Sequence, residues 1–169
     1  MFRAKTQQFI AFILKLYKHA TVQNLARLSF LTDCIFFDKT HQRISGFSYR
    51  LYIFGPFDES IFACLENLIN AGLIRSYLNY TRTGLEYVSY VYNDRISDLK
   101  FKAEYLPTIS IVEFHLMREI LYELMNYGDR RLTEMVYKSK PIRSQGVLAP
   151  GELGAAGQVL SFEAPVRLA

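Results

Sequence analysis

Between residues 44 and 74 the chain changes its hydrophobic period twice, and this constrains the fold more than any other feature. Residues 47–54 alternate, with Phe47, Tyr49, Leu51 and Ile53 on one face and Tyr52 and Phe54 on the other, the pattern of a short strand. Gly55 and Pro56 break it, because proline has no amide hydrogen to give to a ladder. Pro56 also suits a first helical turn, and Asp58 and Glu59 suit the positive end of a helix dipole. Ile61, Leu65, Leu68 and Ile69 then recur at helical spacing. Gly72 supplies a left-handed stop, Leu73 packs beyond it, and a new strand begins.

The flanks extend this order. Residues 6–19 read as a helix with Ile10, Ile13, Leu14 and Tyr17 on one face. Thr21 caps a second helix reaching about Phe37, with Leu25, Leu28, Leu31 and Ile35 inward; it is apolar on more than one side, as a central helix is. Residues 73–80 and 85–92 read as a hairpin around Thr81-Arg82-Thr83-Gly84. A short helix is expected within 95–106. Thr108 then caps a long one, with Ile109, Val112, Leu116, Ile120, Leu121 and Leu124 inward and its stop at Asn126 and Gly128. Asp129 caps a last helix to about Ser139, and Pro141 ends it. The fold class that follows is α+β: a mainly helical compact domain over 1–143 with a small antiparallel hairpin or three-stranded sheet in winged-helix-like local order. Residues 144–169 form a Gly/Pro-rich tail, with Pro150-Gly151 and Gly154-Ala155-Ala156-Gly157, either loosely attached or docked through Val159-Leu160-Ser161-Phe162.

The chain of 169 residues is half hydrophobic and 15% aromatic, enough for one domain with a real core and too apolar for disorder. Cys34 and Cys64 both sit in apolar segments and read as reduced core thiols. The apolar run over 9–14 follows Arg3 and Lys5 but is broken by Lys15; it is too short for a membrane span and a poor signal peptide, so a soluble cytoplasmic protein is expected.

Motifs for chemistry are missing from the sequence. His19, His41 and His115 stand alone and neither cysteine has a CxxC partner, so no metal site is expected. No phosphate loop or nucleophile elbow occurs, and Asp58-Glu59 reads as helix-start charge, so neither catalytic residues nor a cofactor is expected. Asp33 is the odd residue, a carboxylate inside an apolar run. Buried, it must be hydrogen-bonded, to a backbone amide, a tyrosine hydroxyl or Arg50; the functional alternative is a polar anchor in a binding groove. A winged-helix DNA-binding regulator is the competing reading, with the helix over 56–71 in the major groove and the hairpin as wing. That helix carries Asp58, Glu59 and Glu66 and no cation, and the wing offers only Arg75 and Arg82. Phosphate contacts require cations, so nucleic acid is disfavoured as a partner.

Several segments together resemble one family. They are residues 22–33, ending Phe30-Leu31-Thr32-Asp33; Gly46-Phe47-Ser48-Tyr49; Phe54-Gly55-Pro56-Phe57; Gly72-Leu73-Ile74; and Leu132-Thr133-Glu134-Met135-Val136-Tyr137-Lys138. In this order they resemble the Panacea, or SocA-like antitoxin, domain over about residues 8–142. Phe54 stands where the family has tyrosine before Gly-Pro, and Tyr137 where it has a closing histidine. The resemblance implies an antitoxin of a bacterial or phage toxin–antitoxin system that neutralises a protein toxin by direct contact. One relative in the family is an adaptor delivering its toxin to a protease. Exposed aromatics make the best protein anchors. The candidate partner-binding residues are therefore Tyr52, Phe54 and Phe57 beside the Gly-Pro turn and Tyr77, Tyr80, Tyr90 and Tyr92 on the hairpin, with Asp33, Gly55, Pro56 and Gly72 as structural motif residues.

Overall fold

The computed structural model describes residues 5–147, 149–152 and 158–163; Arg3 and Gly154-Ala155-Ala156-Gly157 lie outside the described residues. Helix α1 (Lys5–Tyr17) is buried on every side over seven consecutive residues from Gln8 to Leu14. A three-residue strand, β1 (His19–Thr21), leads into α2 (Val22–Thr40). Thr21 caps α2 through its hydroxyl, which accepts from the Asn24 amide at 3.2 Å, and His41 ends it in the left-handed region at φ 58°. Helix α2 packs against α1 and against two later helices, α5 (Ile111–Leu124) and α6 (Asp129–Lys138). The fold class is α+β, as the periodicities indicate.

The aromatic segment does not run straight into a helix. It folds back as a two-stranded ribbon, β2 (Arg50–Tyr52) with β3 (Gly55–Phe57), and Pro56 sits inside β3 opposite Leu51. Proline is tolerated there because its nitrogen faces away from a partner on an edge strand. Gly55 takes φ 118° at the turn, a value that requires glycine. Helix α3 (Ser60–Asn70) starts after this ribbon, with the Asp58 carboxylate accepting from the Ser60 amide at 2.8 Å and the Ser48 amide at 2.6 Å. Gly72 closes α3 at φ 74°, and Leu73 donates to the Leu68 carbonyl at 3.0 Å.

Strands β4 (Ile74–Tyr80) and β5 (Glu86–Tyr92) form the hairpin, with Gly84 at φ 84° in its turn. Strand β1 pairs with β5, so the sheet order is β1-β5-β4 and the helix–strand–helix–helix–hairpin order is winged-helix-like. Helix α4 (Asp98–Tyr105) follows. The long helix α5 is capped by Ser110, not Thr108, in a capping box with Glu113. Thr108 instead bonds the buried Gln8 amide in both directions, at 2.8 and 3.1 Å. Val112, expected inward, is 73% exposed, because the helix buries Met117, Ile120, Leu121 and Leu124 instead. Asp129 is the first residue of α6 rather than its cap and pairs with Arg27 at 3.1 Å. Pro141 opens a short helix, α7 (Lys140–Arg143), rather than ending the chain's helices. From the tail, Leu160 donates to the Tyr49 carbonyl at 2.8 Å, and Phe162 packs among Phe30, Phe37 and Tyr49.

Candidate functional site: an aromatic groove beside the ribbon

Tyr52, Phe54 and Phe57 come together on the ribbon. Tyr52 and Phe54 stack at 5.4 Å with their planes 6° apart, and both meet Phe57 edge to face at 5.9 and 5.5 Å. A fourth ring joins from α3: Phe62 lies 5.6 Å from Phe57. Phe57 is buried, Tyr52 half-buried, and Phe54 and Phe62 are each 53% exposed. Phe57 is therefore the floor that orients the other three rings, not an exposed anchor. The four rings, with Val22, Gln23 and Glu59, line an open groove of about 750 Å³. Glu59 is the one charged side chain in that lining.

Behind Phe54 a cavity of about 20 Å³, room for one water molecule, is closed by Arg27, Gly55, Pro56 and Tyr137. The Tyr137 hydroxyl lies 3.9 Å from where a Cβ on Gly55 would stand. Phe54, Gly55 and Pro56 line this cavity together with residues of α2 and α6.

Asp33 is the polar support of this region. It is fully buried. One carboxylate oxygen accepts from the Ile44 and Ser45 amides, both at 3.0 Å. The other accepts from the Ser45 hydroxyl and from the Tyr49 hydroxyl at 2.8 Å. Of the expected partners, the amides and the tyrosine are present; the nearby guanidinium is Arg43, not Arg50, and it donates to the Phe47 carbonyl at 2.5 Å. Burial pushes the Asp33 carboxyl above its usual range, against the opposite pull of Ser45, Tyr49 and Arg43. Asp33 has no surface open to solvent. It ties the loop over 41–49 to α2 and so fixes the entry of the ribbon that carries Tyr52 and Phe54.

The hairpin candidates divide by distance from the root of the strand pair. Tyr92 is buried: it shares a face with Ile74 and Ala20, also buried, and burial raises its hydroxyl to about 12. Lys18 lies 4.6 Å over its ring. Tyr90, two pairs further out on the same face, is half-buried and packs on the core. Tyr77 and Tyr80 are 47% and 62% exposed, and the outer half of the hairpin also exposes Leu78, Leu85, Tyr87 and Val88 on both faces. The groove and the hairpin meet where Thr21, opposite Ser89 on β5, leads into Val22 of the groove lining.

Both cysteines are free thiols, and burial pushes Cys64 up to about 11 and Cys34 higher. Among the described residues no group of three His, Cys, Asp or Glu could hold a metal ion, and no helix is long and apolar enough to cross a membrane. No protein-family model, curated protein or solved structure matches this chain.

Proposed function

We propose that this chain is an antitoxin-like protein-binding module that neutralises a partner toxin by direct contact, and that the groove of Tyr52, Phe54, Phe57 and Phe62 is the contact. The single observation that supports this reading is the exposure of two large aromatic rings, Phe54 and Phe62, on a preformed aromatic floor. Rings held in place before binding lose little entropy on binding, and aromatic anchors dominate protein interfaces. The groove suits an apolar segment of the partner flanked by a basic residue, since Glu59 is its one lining charge. The resemblance of residues 8–142 to the SocA-like antitoxin domain points to the same class of partner.

The strand order β1-β5-β4 favours a second reading, a winged-helix regulator on DNA. Charge weighs against it. The outer face of α3 presents Phe62, Ala63, Glu66, Asn67, Ile69 and Asn70, with no cation to meet a phosphate. Co-expression with the product of the neighbouring gene tests the first reading. Growth rescue and co-purification by the wild-type chain, both lost in Phe54→Asp/Phe62→Asp, are the expected results. Absence of any complex, together with a salt-sensitive gel shift on non-specific duplex, would favour the second.

A further inference from the structure

Strand β4 has a free outer edge: among the described residues its one strand partner is β5. Native proteins usually blunt such edges with lysine, proline, a bulge or short length. This edge is seven residues long, Ile74-Arg75-Ser76-Tyr77-Leu78-Asn79-Tyr80, with neither lysine nor proline and an unbroken register against β5. The ladder parity says which groups are free. Asn93 donates to the Leu73 carbonyl at 2.9 Å and Thr81 to the Leu85 carbonyl at 2.8 Å, so the odd-numbered residues of β4 turn their amides and carbonyls toward β5. Ser76, Leu78 and Tyr80 therefore turn theirs to the open edge; Ile74 has the same parity but is buried at the root of the strand.

We infer that this edge pairs antiparallel with the same edge of a second copy of the chain, about a two-fold axis at Tyr77, joining two three-stranded sheets into one of six strands. The sequence is self-complementary in that register. Ser76 falls opposite Leu78, and both have free amides and carbonyls; at the ends Tyr80 falls opposite Ile74, which is buried. Arg75 falls opposite Asn79, so no like charges meet. Centring the axis on Arg75 instead would set two guanidinium groups against each other, and centring it on Ser76 or Leu78 would shorten the ladder. Tyr80 of the second copy would lie over an open groove of about 620 Å³ lined by Ile69, Gly72, Ile74, Arg75 and Asn93, at the root of the strand. Tyr77 would meet its own counterpart in a non-hydrogen-bonded pair, where facing side chains are closest.

That self-contact provides the test. The wild-type chain is run in sedimentation equilibrium beside Tyr77→Lys, Tyr77→Asp and an equal mixture of the two variants. Tyr77 is nearly half exposed, so both variants keep the hairpin, which far-UV circular dichroism checks. The wild type is expected at twice the 19.6 kDa chain mass. Each variant alone should associate at least about tenfold more weakly, because like charges then face each other. The mixture should recover the dimer, and Phe54→Asp should leave the dimer unchanged, which separates this contact from the aromatic groove. Ser76→Pro, which removes an edge amide that β5 does not use, should also give a monomer. A wild-type monomer at up to about 100 μM, a concentration that populates weak interfaces, would overturn the inference. So would a dimer that both charged variants keep, or a mixture that stays monomeric.

Discussion

Replacing Asp33 tests how the buried carboxylate holds the loop that delivers the aromatic ribbon. It accepts four hydrogen bonds, two from amides and two from hydroxyls. In Asp33→Ala the hydroxyls of Ser45 and Tyr49, 3.4 Å apart, can still pair with each other. The Ile44 and Ser45 amides cannot move to new partners without opening the loop. Two orphaned buried donors at about 1–3 kcal/mol each, less the relief of no longer burying a carboxylate, give a loss of about 3–4 kcal/mol. Asp33→Asn keeps one carbonyl oxygen for both amides and turns its amine to the two hydroxyls, which rotate to accept, so it should cost about 1–2 kcal/mol. Urea unfolding followed by far-UV circular dichroism reads both. A loss below about 1 kcal/mol for alanine, or an asparagine variant as unstable as alanine, would refute the reasoning.

Further expectations follow from single contacts. Gly72→Ala should cost about 1–2 kcal/mol in thermal unfolding: a Cβ there meets nothing within 4 Å, so the loss comes from φ 74° alone. Phe162→Ala should cost about 3 kcal/mol, a core-sized loss, because its ring packs on Phe30, Phe37 and Tyr49 with Arg43 above it. Glu113 should give a pH signature. Burial alone would raise its carboxyl, but Lys5 and the Ser110 amide outweigh this and hold it below the ordinary range. Its stabilising contribution is then present above the unfolded value of 4.5 and lost as pH falls through the lower folded value, so Glu113→Gln should flatten the loss of stability between about pH 5 and pH 3.

Local signals carried most of the architecture. The Thr21 cap, the Gly72 stop and the hairpin about Gly84 are each specified by one residue with one conformational role, and each stands where the sequence places it. The ribbon escaped because proline after an aromatic run reads as the end of a strand, and only tertiary context shows an edge position where its missing amide costs nothing. Burial along the hairpin escaped for a related reason. Alternation sets which face a tyrosine takes, whereas Tyr92 and Tyr80 share a face and differ in distance from the body of the protein. Phe62 was the site residue missed, yet a signal for it exists: it lies off the Ile61, Leu65 and Leu68 stripe, where a large apolar side chain on a helix has no core to enter.

The most direct test of the aromatic groove as a protein contact is calorimetric titration of the neighbouring gene's product with the wild-type chain and with Phe54→Ala and Phe62→Ala. Each substitution should weaken binding about thirtyfold, the loss of one hot-spot ring, while urea stability stays within about 0.5 kcal/mol of wild type. Equal affinities for all three chains would contradict the account, as would no heat of binding from the wild type.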